Sequence, residues 1–379
     1  MRLERKRQTN SVVEWVYSWM ICLSLFFHVF NDISLTESIK LFHVPAIIAA
    51  IITVFMSVKN DMMFLNICFI AIFTLCGAIV SVYEKSIVDS FKFIITIFSC
   101  YGLCLVDKNK IYFLLNIMTP ILLLSLILHY YSGIYYRYSG WYNDPNYFCT
   151  TLLLLLCSII YLLRKTNQKM LKLVSFVELI VIIMLVSFSI SRSGLLCVSL
   201  VLLTKFWNAF KKHFFLTVLV FLLVLAVGIQ SGFVENSYNN FRERVLETSD
   251  NMEAATVYRF EVSMQGVDYV ITHPENLFFG VGIGGTFGNK SIPTKKAWHV
   301  DHNTYTSFFV EQGIFVFVGY IAMIVCILKN QIKCRKWDNV IVLLSISIFA
   351  ISISQKLYLP YWFLIFFLSQ KRKCINMRL

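Results

Sequence analysis

Apolar runs of about twenty residues recur along most of this chain, and a run of that length crosses the hydrocarbon core of a bilayer as a helix. In hydrocarbon every backbone N–H and C=O must find a partner inside the protein, so a chain built this way is committed to packed helices. The runs lie near residues 13–30, 39–58, 62–83, 88–106, 111–131, 147–163, 172–190, 194–210, 213–231, 304–328, 339–355 and 357–370. Hydrophobic residues make up 58% of the chain and charged ones 15%, with a mean hydropathy of +0.70, outside the range of soluble globular domains. The expected fold is all-α, a polytopic membrane protein of about 12 transmembrane helices.

The spacing of the runs divides the chain into three parts: nine helices over 1–231, a long loop over 232–303, and three helices with a tail over 304–379. The opening "MRLERKR" followed by apolar residues is like a signal peptide. No small-residue cleavage site follows it, however, so it reads as the first transmembrane helix. Basic residues of the short loops gather on the amino-terminal side, in Arg2, Arg5, Lys6 and Arg7, then Arg164, Lys165, Lys169 and Lys172, then Lys329, Lys333, Arg335 and Lys336. Cytoplasmic loops carry that excess, so both termini are expected in the cytoplasm and the long loop outside. The net charge of +13 is thus a matter of topology and not of nucleic-acid binding. The eleven cysteines show no metal spacing and no disulfide framework, and read as small core residues.

A loop of about seventy residues is usually functional or disordered. Within this one, "VYRFEVSMQGVDYVITHPENLFFG" carries apolar and aromatic residues at helical spacing and ends in a turn region, so a small helical cap on the outer face is expected.

The polar and charged residues that call for explanation all fall on the outer side. In "RYSGWYNDPNYF" (137–148), Asp144 and Pro145 read as the N-cap and first position of a helix. Arg137, Trp141 and Asn146 share that loop, where aromatic rings can be interfacial anchors or platforms for sugar rings. In "SRSG", Arg192 lies at the outer end of the seventh run, where it serves either as a snorkelling side chain or as a bidentate phosphate donor. "GVGIGG" matches GxGxxG through Gly280, Gly282 and Gly285. It follows no strand and opens no helix, so these glycines read as places where backbone approaches a ligand or where a loop moves.

In "HVDHNTYTSFFVEQG" (299–313), Asp301 or Asn303 suits an N-cap, and no third ligand joins His299 and His302 in a zinc-type pattern. A histidine at such a place suits a general base or a donor to a reacting hydroxyl. Glu311 falls about 12 Å inside the tenth helix at 1.5 Å per residue. A carboxylate at that depth must be protonated, paired or hydrated, and Glu311 reads as a packing or supporting residue ahead of a chemical one.

Arg259, "HPENLFFGVGIGGTF" (273–287) and "HVDHNTYTSFFVEQGIFVFVGY" (299–320), in that order and with "GWYNDPNYF" and "SRSGLL" upstream, resemble the carboxyl half of the O-antigen polymerase and O-antigen ligase superfamily of bacterial envelope glycosyltransferases. The resemblance covers roughly residues 137–320. It implies an all-α, GT-C-like architecture and a glycan donor on undecaprenyl pyrophosphate, used at the periplasmic face of the inner membrane without nucleotide, metal or other cofactor. It further implies an inverting transfer, with Arg192 and Arg259 on the pyrophosphate and His302 orienting or deprotonating the acceptor. His299 stands outside the family's pattern, which has one histidine before the asparagine, here His302 before Asn303. Arg137, Trp141, Asp144, Asn146, His299, Asn303, Gly282 and Glu311 are the further candidates for contact with substrate.

The leading expectation is a polymerase joining lipid-linked oligosaccharide repeat units into O-antigen or capsule, with membrane lipids and a chain-length regulator and flippase of the same pathway as partners, and no nucleic acid. One alternative is a ligase that hands the glycan to lipid A-core. Another, from a different class, is a flippase or transporter of the same glycolipid. That reading calls for internal repeats and midplane charges. No repeat is found in the sequence.

Overall fold

The structure, a computed structural model, describes residues 2–30, 33–36, 39–57, 62–81, 85–133, 137–142, 144–212, 263–285 and 303–369. Within these the chain is almost wholly helical: α1 (Arg2–Val29), α2 (His43–Met56), α3 (Met62–Val80), α4 (Ser86–Tyr101), α5 (Lys108–Tyr131), α6 (Pro145–Lys165), α7 (Lys169–Phe188), α8 (Arg192–Lys212), α9 (263–272), α10 (Thr304–Lys333), α11 (Trp337–Ser352) and α12 (Leu359–Ser369). Short 3₁₀ turns follow α4 at Gly102–Cys104 and α9 at Pro274–Asn276. Among the described residues there is no strand, only an isolated antiparallel bridge between Ser34 and Lys40.

Seven of these helices are long and apolar enough to cross a membrane, and four shorter apolar ones coincide with the second, eighth, eleventh and twelfth expected runs. This is a multi-pass membrane protein. The expected run at 213–231 lies outside the described residues, as does most of the 232–303 loop. Its described part agrees with the helical reading, because α9 covers 263–272.

The helix starts obey local rules. Asp107 caps α5 by accepting from the Asn109 amide at 3.0 Å, and Asp144 caps α6 by accepting from the Asn146 amide at 2.7 Å, with Pro145 in the first turn. Asn303 caps α10 through the Tyr305 amide at 2.9 Å. Both sequence-based N-caps among the site candidates, Asp144 and Asn303, are therefore seen.

The bundle is assembled around α12. Its sequence, "LPYWFLIFFLS", is apolar on all sides, and all of its residues are buried. A helix without a polar face belongs in the middle. Its neighbours are α4, α6, α11, α1 and α10. Trp362 is fully buried, stacks on Phe366, meets Phe93, Phe308 and Tyr320 edge to face, and donates its indole N–H to the Lys356 carbonyl at 2.7 Å. The outer helices turn apolar side chains such as Phe55, Met62 and Ile79 away from the protein, as lipid contact requires.

Two details depart from the expected helices. The eleventh run was expected to 355, but α11 stops at Ser352, and residues 353–358 form a non-helical crossing to α12. The described cysteines are mostly free, as expected, whereas Cys334 at the end of α10 is disulfide-bonded. A single thiol at a helix end carries no spacing pattern from which that could be read.

Replacing Trp362 by Ala removes the ring on which five aromatic contacts and one buried hydrogen bond converge. The expected cost is about 3–5 kcal/mol, measured as unfolding of the detergent-solubilised protein, with Trp362→Phe losing much less.

Candidate functional site

The longest helix, α10, is broken where it carries "EQG". Gly313 has φ 79° and ψ 176°, a conformation that L side chains rarely adopt, and a Cβ there would lie 2.2 Å from the Phe278 carbonyl oxygen. The residues after Pro274–Asn276 run into this break. The Val281 amide donates to the Val310 carbonyl at 3.0 Å, the Gly282 amide donates to the Glu311 carbonyl at 2.9 Å, and the Leu277 carbonyl accepts from the Ile314 amide at 2.9 Å. The loop thus satisfies backbone groups that the break frees, which broken helices at membrane depth require.

On its other side the same loop meets α3 and α4. Ser81 Oγ donates to the Val281 carbonyl at 2.6 Å, and a Cβ on Gly282 would collide with the side chains of Ser81 and Ser86. The GVGIGG glycines therefore bring the loop against three helices. The close approach expected at these glycines is made here to helices: Gly280 and Gly282, both at positive φ, are packed against α10 and its neighbours. The segment is inserted between helices and is more than a cap lying on them.

Glu311 is buried, at 3% exposure, and its side chain does two things at once. Its Oε2 accepts from the Gly284 amide at 2.7 Å and pairs with Lys356 Nζ, which also donates to Ser307 Oγ one turn above. Lys356 comes from the non-helical crossing between α11 and α12 and is itself buried. Two opposite charges buried together cancel, and hydrogen bonds take up the remaining valences. Neither charge is spare for substrate. The sequence reading placed Glu311 as a supporting residue without naming its partner.

From this pair a chain of hydrogen bonds runs across the same end of the bundle. Ser354 Oγ donates to Ser307 Oγ at 3.1 Å, the Gln355 amide donates to Thr304 Oγ1 at 2.9 Å, and Gln355 Nε2 donates to Thr150 Oγ1 at 3.1 Å. Tyr147 donates to the Ser354 carbonyl at 2.7 Å, tying α6 to the crossing. Thr150 in turn donates to the Asn146 carbonyl at 3.1 Å, and Asn146 Oδ1 accepts from Ser191 Oγ at 2.6 Å and Ser193 Oγ at 3.1 Å. The "NDPN" and "SRSG" motifs are thereby joined side chain to side chain. Arg192, between the two serines, is exposed at the start of α8, where free amides and the helix dipole also favour an anion.

The other candidates take varied places. Arg137 is half-buried near the start of α6. Trp141 packs between Phe30 and His129, at ring distances of 4.7 and 4.5 Å. Tyr142 is buried and reaches His28 Nδ1 at 3.2 Å and Thr151 Oγ1 at 3.1 Å, and burial pushes its phenol up to about 12, so it stays neutral. These rings are parts of the packed core in this structure. Arg259, His299 and His302 lie outside the described residues. Among the described residues no group of three or more His, Cys, Asp or Glu is placed to hold a metal.

What has been assembled is a rigid polar floor at one end of an apolar bundle, made from α6, α8, α10, the α11–α12 crossing and the glycine-rich loop. Residues 179–321 match the O-antigen ligase family. The match runs from the middle of α7 through Arg192 and the glycine-rich loop to beyond the break in α10, and leaves out α6 and the α11–α12 crossing. Over that segment the chain carries a domain of the O-antigen ligase type, which supports a membrane glycan-processing enzyme of the polymerase and ligase kind. No curated protein matches the sequence significantly.

Breaking the buried pair from one side leaves an uncompensated charge. Glu311→Gln or Lys356→Met alone is expected to cost about 3–5 kcal/mol, whereas the double variant should cost clearly less than the sum, read from unfolding of the purified protein. Gly313→Ala should be at least as damaging as either, because both the φ and the space oppose it.

Proposed function

We propose that this chain polymerises oligosaccharide repeat units carried on undecaprenyl pyrophosphate, at the periplasmic face of a bacterial inner membrane, with both termini in the cytoplasm. The observation that carries the reading is the family match over the very segment in which Arg192 stands exposed beside the Asn146–Ser191 junction. A guanidinium at a helix start is suited to pyrophosphate, since it offers a fork of donors to the oxygens and its charge persists at any working pH.

In the proposed step an acceptor sugar hydroxyl attacks the anomeric carbon from the face opposite the leaving group. The new glycosidic C–O bond forms as the bond to the lipid pyrophosphate breaks, its electron pair leaves with the pyrophosphate, and the hydroxyl proton passes to His302. Negative charge grows on the departing pyrophosphate, and Arg192 and Arg259 would stabilise it more in the transition state than in the ground state. The energy comes from the donor's own pyrophosphate linkage, and no nucleotide is called for. Arg137 and His299 are the candidates for reading the sugars, while Trp141 and Asn146 would support them from within the packed core. Asp144, Asn303, Gly282 and Glu311 would act by holding helix starts and the glycine-rich loop in place.

A second reading has a specific observation in its favour, because the matching family is described by ligase activity. A ligase would use the same donor and the same guanidinium groups and differ only in its acceptor, lipid A-core. A lipopolysaccharide gel of a strain lacking the protein, beside the restored strain, separates the two. Loss of the ladder with a single repeat unit still attached to core supports the polymerase. Loss of the single-repeat band as well, with lipid-linked polymer accumulating, supports the ligase and overturns the proposal.

Arg192→Ala should lower product formation by about 100-fold or more while the protein stays inserted and folded, and Arg192→Lys should recover part of it. Unchanged product in both variants would remove Arg192 from the chemistry.

A further inference from the structure

The helix ends opposite the polar floor enclose a cleft of about 500 Å3. It is lined by Lys108 at the start of α5, Arg164 at the end of α6, Arg335 and Lys336 between α10 and α11, and Trp337 and Asp338 at the start of α11. Four cations thus face one carboxylate. Asp338 accepts from Arg164 Nη1 at 2.7 Å, and both side chains remain about half exposed, so this pair leaves the cleft strongly positive. Aromatic rings line it as well: Tyr112 and Tyr161 stack face to face at 3.4 Å. Trp337 is 59% exposed, as an indole at a membrane interface would be.

Arg335 is held there by a costly backbone. The Lys336 amide donates to the Gln331 carbonyl at 3.0 Å and the Arg335 amide donates to the Ile332 carbonyl at 2.9 Å, the Schellman pattern that ends a helix. Its left-handed position usually goes to glycine, yet Arg335 occupies it at φ 53°. Topology accounts for basic residues in this loop. It does not account for basic residues from three separate parts of the chain converging on one cavity lined by aromatic rings.

We propose that this cleft binds the phosphate of an acidic phospholipid headgroup, with Arg335 and Lys336 on the phosphate and the adjoining acyl chain beside the exposed Trp337 ring. An excess of cations over carboxylates among the described lining residues, at helix ends beside an exposed indole, suits a charged head joined to a chain. A soluble phosphate shares only the first half of that chemistry.

The test uses the full chain in detergent, with native mass spectrometry of bound phosphatidylglycerol and phosphatidylcholine of identical acyl chains. Phosphatidylglycerol should be retained in preference, and Arg335→Gly should weaken that retention about fivefold. Glycine fits the helix-end backbone better than arginine, so this variant should unfold no earlier than the parent, which separates lost binding from lost folding. Lys336→Ala should act in the same direction. Equal retention of the two lipids, or full retention in Arg335→Gly, overturns the proposal. So does displacement of phosphatidylglycerol by millimolar inorganic phosphate, which would assign the cleft to a soluble anion.

Discussion

A lysine and a glutamate buried against each other hold this molecule's polar end together. Neither Glu311 nor Lys356 can sit in an apolar bundle alone, and the cost of an unpaired charge there exceeds that of most other defects in a fold. Their pairing therefore dictates where the surrounding backbone goes. The Glu311 side chain also takes the Gly284 amide and thereby pulls the glycine-rich loop into the break of α10, while Lys356 also reaches Ser307 and fixes the crossing between α11 and α12. Three non-helical pieces of backbone meet at one ion pair, and each is satisfied by the other two or by the helices around them.

That arrangement separates the charges that hold from the charges that act. The paired residues are spent on architecture, as are the caps Asp144 and Asn303 and the serines that grip Asn146. Arg192, by contrast, sits on the rim with its side chain exposed. For a transfer that expels a diphosphate, a fixed floor beneath an available guanidinium is what electrostatic preorganisation requires. At the far end of the bundle the distribution is different, with cations gathered around a cleft between helix ends.

Much of the fold could be read from the sequence because it depends on local physics. Apolar runs, Asp-Pro before an apolar run and Asn303 ahead of α10 are each decided by nearby sequence, and among the described residues apolar helices and both caps appear near where expected. Glu311 was legible as a problem, a carboxylate too deep in a helix, but its solution lies 45 residues away in Lys356. Lys356 sat in plain view between two short apolar runs. Nothing in one dimension shows that the crossing dips into the protein. The glycines left their partner open for a related reason: their spacing showed that backbone comes close to something, and whether that was a ligand or a helix depended on the break at Gly313. Trp141 and Tyr142 are likewise ambiguous in sequence, since an aromatic residue near an interface can pack inward or lie open.

The central claim is that the Glu311–Lys356 pair pins the glycine-rich loop into α10, and the most direct measurement is amide hydrogen exchange over residues 277–285 in the detergent-solubilised protein, compared between the parent and Lys356→Met. The account predicts slow exchange of the Val281, Gly282 and Gly284 amides in the parent and a marked loss of protection in the variant, with the ends of α3 and α4 much less affected. Fast exchange of these amides in the parent, or protection unchanged by the substitution, would contradict it.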